Sequence, residues 1–193
     1  MVRFAAVLAL ILGIAVGWYG PSSALAAEKS AVIGVVDVQV ILREATAMKS
    51  IQKQVEQKRG QFQTEISAQE KRLRDLEQEL KRQQSILAAD VFETKRRDFE
   101  AQVGSVQRDV QERRRVLDQA YNDGLKAVQK ELTEIIAAIA KERGFNLVLP
   151  SMQTLYSDAT MAVTDEALKR LNQRLPDVAL KFTTAAGPKP KQK

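Results

Sequence analysis

The side chains in this sequence with the greatest chemical reach are cations gathered in one stretch. Lys71, Arg72, Arg74, Lys81, Arg82, Lys95, Arg96 and Arg97 stand there against Asp75, Glu77, Glu79, Asp90 and Glu93, eight bases to five acids. On a helix such spacing forms intrahelical pairs, Glu77 with Lys81 and Glu93 with Arg97, each worth about 0.2–0.5 kcal/mol. The excess makes a positive rim that would attract acidic partners or an anionic membrane surface, and salt would weaken it. Arg113, Arg114 and Arg115 either add to that rim or pair with acidic neighbours.

Covalent chemistry finds no footing. The chain has no His and no Cys, which removes the usual triads, thiol nucleophiles and imidazole metal sites, and it has no glycine-rich phosphate loop. Its carboxylates lie in charged helical runs with no concave domain to raise their pKa values, so a paired-acid hydrolase would have no pocket. The expectation is a protein that is not an enzyme and needs no cofactor or metal. With 30 Lys and Arg against 24 Asp and Glu, the net charge of +6 is too small for a dedicated nucleic-acid binder.

The cations sit on an inserted helical arm. From Thr46 to Arg143 there is no Pro and there are only three glycines. Val55, Phe62, Gln69 and Leu76 recur every seven residues, and Ile66, Leu73, Leu80 and Leu87 repeat that spacing four residues out of phase. Around residues 86–91 the pattern stops. Asp90 and Glu93 match a reciprocal capping arrangement, so the chain should turn back there. The returning helix carries Phe92, Phe99 and Val106 in one column and Val103, Val110 and Leu117 in another. A denser series follows, Leu125, Val128, Leu132, Ile135 and Ile139. Each arm of about 40–50 residues would run roughly 60–75 Å at about 1.5 Å per residue.

Phe62, Leu73, Leu76, Leu80, Phe92, Phe99 and Val103 occupy the outer half of this hairpin, where the seam is sparse. They either zip the two helices together or stay open to a partner. Two helices cannot cover a broad stripe completely, so some apolar area should remain available. Gly60 interrupts a helix interior and is a candidate hinge, as against tolerated drift on an exposed face.

The arm leaves and re-enters a small body, residues 27–45 and 144–182. Ala31 to Val36 reads as a strand buried on both faces, with Asp37 capping the short helix after it. Gly144 falls where a left-handed cap would end the arm, and Phe145 to Leu149 reads as a second strand. Thr154 to Ser157 can supply a hairpin partner, and Thr164-Asp165-Glu166 a capped start to a last helix with Leu168, Leu171 and Leu175 on one side. The fold class is therefore α+β, a long antiparallel helical hairpin inserted in a small β body. Three short strands and one helix are marginal alone, and without cysteines no disulfide reinforces them. A homo-oligomer is expected, with Val32, Ile33, Val35, Val36, Phe145, Leu147, Leu149 and Leu155 as the hub.

The ends of the sequence suggest an address. Arg3 precedes an apolar stretch from Phe4 to Val16, and Ala24-Leu25-Ala26 offers a small-x-small cleavage site. A signal peptide over 1–26 is expected, with export to the periplasm after cleavage near Ala26. Residues 183–193 read as a disordered basic tail.

The opening Ile33-Gly-Val-Val-Asp37-Val-Gln, together with Phe145-Asn-Leu-Val-Leu149, Leu155-Tyr156-Ser-Asp158 and Thr164-Asp165-Glu166-Ala-Leu168-Lys-Arg-Leu171-Asn172, resembles the Skp/OmpH-like family of periplasmic chaperones for outer-membrane proteins. That resemblance implies a homotrimer with a β-barrel hub and three helical arms enclosing a cavity. Such a cavity would hold unfolded outer-membrane proteins without ATP and prevent their aggregation. The competing expectation is a structural or adaptor hairpin of an envelope secretion or efflux assembly, whose arm tips dock on a channel.

Overall fold

A computed structural model describes residues 30–183. The expected signal segment and the expected tail beyond Thr183 lie outside the described residues. In chain order the elements are β1 (Ile33–Val36), α1 (Val38–Glu44), α2 (Thr46–Gln83), α3 (Ala89–Arg143), β2 (Leu147–Pro150) and α4 (Thr164–Arg174). Short 3-10 turns at Ser151–Gln153 and Ala159–Met161 separate the last two.

The two strands pair in parallel, with Ile33 opposite Leu147 and Val36 opposite Pro150. Parallel neighbours cannot be joined by a tight turn and need a long crossover. Here the whole helical hairpin is that crossover, so one body holds both of its ends, as the flanking strand signals predict. Gly34, Val35 and Val36 are buried, in keeping with a strand covered on both faces. Gly34 lies so close beneath Phe145 that a Cβ there would stand 2.9 Å from the ring carbon Cδ2.

The expected third strand at Thr154–Ser157 does not form. Pro150 ends β2, Thr154 N–H turns back to Ser151 O at 3.0 Å, and Leu155 and Tyr156 face solvent. Asp158 then accepts the Thr160 N–H at 2.8 Å and opens the second 3-10 turn. What reaches the free side of β1 is a single bridge at Ala162, where Val163 N–H donates to Val35 O at 2.9 Å. Local turn chemistry thus overrides the β-propensity of Leu155 and Tyr156.

Two helix ends follow expectation and two depart from it. Asp37 caps α1 as predicted, its carboxylate accepting the Val40 N–H at 2.9 Å. Helix α3, however, begins at Ala89 with no side-chain cap. Asp90 lies inside its first turn, where its charge favours the positive helix end, and Glu93 is drawn to Arg96 instead of reaching back. Thr164 does not cap α4 either. Its hydroxyl accepts the backbone N–H of Asp37 at 2.9 Å and ties the start of α4 to the end of β1. Gly144 ends α3 as expected, in the left-handed conformation with φ of 73°.

The hairpin is asymmetric. Helix α2 has 38 residues and α3 has 55, about 57 Å and 82 Å at 1.5 Å per residue. On the outgoing side Ala45 is the single residue that separates α1 from α2.

The core sits where hairpin and body meet. Ile41, Ala45, Ala47, Met48, Ile51, Val128, Leu132, Ile135, Ile139, Val163, Ala167 and Leu171 form one buried cluster with Val36 and Val55. The roots of α2 and α3 supply most of this core, and the strands form its rim. Arg170 clamps α4 onto α3 through both carboxylate oxygens of Glu142, at 2.8 and 2.5 Å, and holds that carboxyl below its usual range. Arg174 adds a 2.7 Å pair with Glu131.

Candidate functional surface of the hairpin

The seam between α2 and α3 is sealed at the root and opens outward. Val55, Ile66, Val116, Ala120 and Val128 are buried along it. Beyond Ile66, among the described residues, no side chain of the outer hairpin is fully buried. The dense four-three spacing of α3 near its root gives way to isolated columns interrupted by glutamines, so each turn has less apolar area to bury.

The expected partner-facing residues separate accordingly. Phe62 is half-buried at the seam and lines a groove there with Ile66, Val110 and Leu117. Lys58 Nζ lies 4.7 Å from its ring centroid and Arg113 Cζ lies 5.0 Å away. Arg113 also pairs with Glu65 at 2.6 Å and donates to Phe62 O at 3.3 Å, bridging the helices. Leu73, Phe92 and Val103 are half-buried too. Leu76, Leu80 and Phe99 line a second groove farther out, together with Lys95, Glu79 and Asp98, and Leu76 remains 40% exposed. An apolar floor thus lies beside one cation and two carboxylates.

The tip adds residues that the heptad columns do not contain. Ile86 is 78% exposed and Val91 is also exposed. Ile86 stands outside both columns, in the turn between α2 and α3. Its apolar character at an exposed turn is the only signal in the sequence.

The cations are partly neutralised. Lys71 pairs with Asp75 at 3.4 Å, Lys81 with Glu77 at 2.7 Å and Arg82 with Glu79 at 2.9 Å. Arg96 takes both Glu93 at 2.7 Å and Glu100 at 2.9 Å, and its guanidinium holds the Glu93 carboxyl below the usual range. The Glu77–Lys81 pair is the expected one. Arg97 does not pair with the Glu93 carboxylate and donates to its backbone carbonyl at 3.4 Å, because Arg96, one position earlier, already holds the carboxylate. Arg72, Arg74 and Lys95 form no ion pair among the described residues. Arg115 is paired with Glu112 at 2.7 Å. Gly60 lies on the open side of α2, with nothing within 4 Å of where a Cβ would stand, and the helix continues through it.

Of the expected hub residues, Val35 and Val36 are used by the chain's own core, and Ile33, Phe145 and Leu149 are half-buried. Val32, Leu147 and Leu155 face solvent, joined by Met152 and Tyr156. No described helix is long and apolar enough to cross a membrane.

No curated protein matches this chain. Among solved structures, a candidate outer membrane chaperone (OmpH-like) from Caulobacter crescentus CB15 is similar in fold, with a TM-score of 0.71 at 16% identity, covering 77% of this chain and 88% of the other. Since the family described as "Outer membrane protein (OmpH-like)" matches residues 32–171, from β1 into α4, the chain belongs to the OmpH-like family.

Proposed function

We propose that this chain is a periplasmic chaperone that captures unfolded outer-membrane proteins between its helical arms and keeps them from aggregating, without ATP. The observation that carries this reading is the graded seam. A helical hairpin meant only as a spacer would gain stability by burying its apolar columns to the end. Here Leu76, Leu80 and Phe99 share an open groove with Lys95, and Ile86 is exposed at the tip. Unfolded membrane strands carry apolar residues at alternate positions and would offer matching area at about 25 cal/mol per Å². Single contacts of this size are weak. Several arms acting on one client would raise the effective concentration and supply the avidity.

Self-association completes the proposal. β1 and β2 form an open two-stranded sheet, and Val32, Leu147, Leu155 and Tyr156 beside it face solvent. Joining such sheets around an axis, as a homotrimeric barrel, would cover these side chains and the free strand edges. Export through a cleaved leader near Ala26 places the assembly in the periplasm.

Light scattering tests the capture. A denatured outer-membrane barrel protein is diluted into buffer with and without the purified protein, in the absence of ATP. Suppressed aggregation at equimolar trimer is expected, and unchanged aggregation would overturn the proposal.

A further inference from the structure

Beyond α4 the chain does something its helical neighbours give no hint of. From Pro176 to Thr183 it runs outside any helix or sheet, and burial alternates strictly: Val178, Leu180 and Phe182 are half-buried against the core, while Asp177, Ala179, Lys181 and Thr183 are exposed. A period of two is that of an extended strand. The segment lies against the arm root. Leu180 sits over Gly124 of α3 and Ile51 of α2, so close that a Cβ on Gly124 would stand 2.7 Å from Leu180 Cδ2.

The polar recognition of this strap comes largely from one side chain. Gln54 Nε2 donates to Val178 O at 2.7 Å, and Gln54 Oε1 accepts the Leu180 N–H at 3.0 Å. One group serving the carbonyl of residue i and the N–H of residue i+2 repeats what a residue of a parallel neighbouring strand provides. The Gln54 amide is itself oriented by Ser50 Oγ, 3.0 Å from Nε2. Among the described residues, a bond between Ser50 and Asp177 is the one hydrogen bond to a strap side chain's polar group.

We infer that the groove between the roots of α2 and α3 is a binding site for extended polypeptide with apolar residues at every second position, and that residues 177–182 are its exchangeable resident occupant. Gln54 reads only backbone atoms, which every extended segment offers. The side-chain pockets ask only for apolar groups spaced by two. The site therefore recognises a conformation and a pattern, the pattern of membrane β-strands, with little regard for sequence. This goes beyond the capture proposed for the outer hairpin: the groove lies at the root, and peptide binding there is measured without any aggregating client.

The test uses the full chain and two fluorescein-labelled eight-residue peptides, one alternating apolar and polar residues, the other with the same composition and its apolar residues contiguous. Leu180→Asp should expel the strap and raise the affinity for the alternating peptide at least tenfold over wild type, with no gain for the contiguous one. Adding Gln54→Ala removes both backbone hydrogen bonds and should then weaken binding about thirtyfold, the effect of two lost hydrogen bonds near 1 kcal/mol each. Equal affinity of both peptides, or no gain on strap release in a protein whose circular dichroism is unchanged, would overturn the proposal. Hydrogen exchange in the wild type gives a second measurement that needs no folded variant. Saturating alternating peptide should speed exchange of the Leu180 amide, and an unchanged rate would be equally fatal.

Discussion

Asn172, on the third turn of α4, accepts the backbone N–H of Thr46 at 2.9 Å and thereby caps α2 from a helix 126 positions away. Ala45, at the local cap position, has no side chain able to do so. The opening amides of a 38-residue helix are thus anchored to the body, and the Thr46 hydroxyl lies 3.2 Å from the same oxygen. Asn172→Ala should cost roughly 1 kcal/mol and lower Tm by about 2–4 °C. Asn172→Asp keeps the acceptor and adds charge that suits a helix start, so it should leave Tm near the wild-type value. Thermal denaturation of the two variants checks both, and equal losses would show that the cap contributes nothing.

That contact marks the boundary of what the sequence reveals. The heptad columns, the Asp37 cap and the Gly144 terminus depend on neighbours within a few positions and can be read directly, and the turn, read near 86–91, lies a little earlier, between Gln83 and Ala89. Asn172, Thr164 and Gln54 act across more than 120 positions, and nothing in their local context distinguishes them from exposed polar residues of helices. The strap shows the same limit. Val178, Leu180 and Phe182 alternate visibly in the sequence, yet only the fold reveals the groove that makes the alternation meaningful. At the other extreme, Tyr156 has strong β-propensity, yet neither it nor Leu155 has a strand partner among the described residues.

Gly60 offers a test of arm flexibility with opposite signs. Nothing lies within 4 Å of where its Cβ would be, so Gly60→Ala should stabilise α2 by about 1 kcal/mol. If the glycine is a hinge, small-angle scattering of the variant should show a narrower spread of arm positions, and the size range of clients held should contract. A stabilised protein with unchanged spread and capacity would reduce Gly60 to drift on an exposed face.

Seam and groove residues should respond differently to truncation. Phe62 has both Lys58 and Arg113 over its ring at the seam. Phe62→Ala should lower stability by about 1–2 kcal/mol, the order expected for a half-buried aromatic ring, with client capture changed only through that loss. Leu76→Ser with Phe99→Ser should cost less stability, because Leu76 is 40% exposed and the described seam beyond Ile66 buries no side chain fully, and should reduce the aggregation suppressed per trimer at least twofold. Chemical denaturation and the scattering assay together separate the outcomes. A double variant as active as wild type would move client contact away from the outer hairpin.

Asp37 links the acid response to the joint between β1, α1 and α4. The Val40 N–H, donating to its carboxylate at 2.9 Å, holds this group below the ordinary aspartate range, with smaller help from Ser151, Gln39 and Arg43. The unfolded chain therefore takes up the proton more readily than the folded one. The cap's contribution is complete above the ordinary aspartate pKa and is lost as pH falls below it. Asn at position 37 still caps but cannot titrate. The urea midpoint of the wild type minus that of Asp37→Asn should thus be larger at pH 7 than at pH 3. The lowered carboxyls of Glu44, Glu93, Glu142 and Asp158 leave an acid limb in both proteins, so only this difference reports on Asp37. A pH-independent difference would mean that the Val40 bond does not distinguish the ionised from the protonated cap.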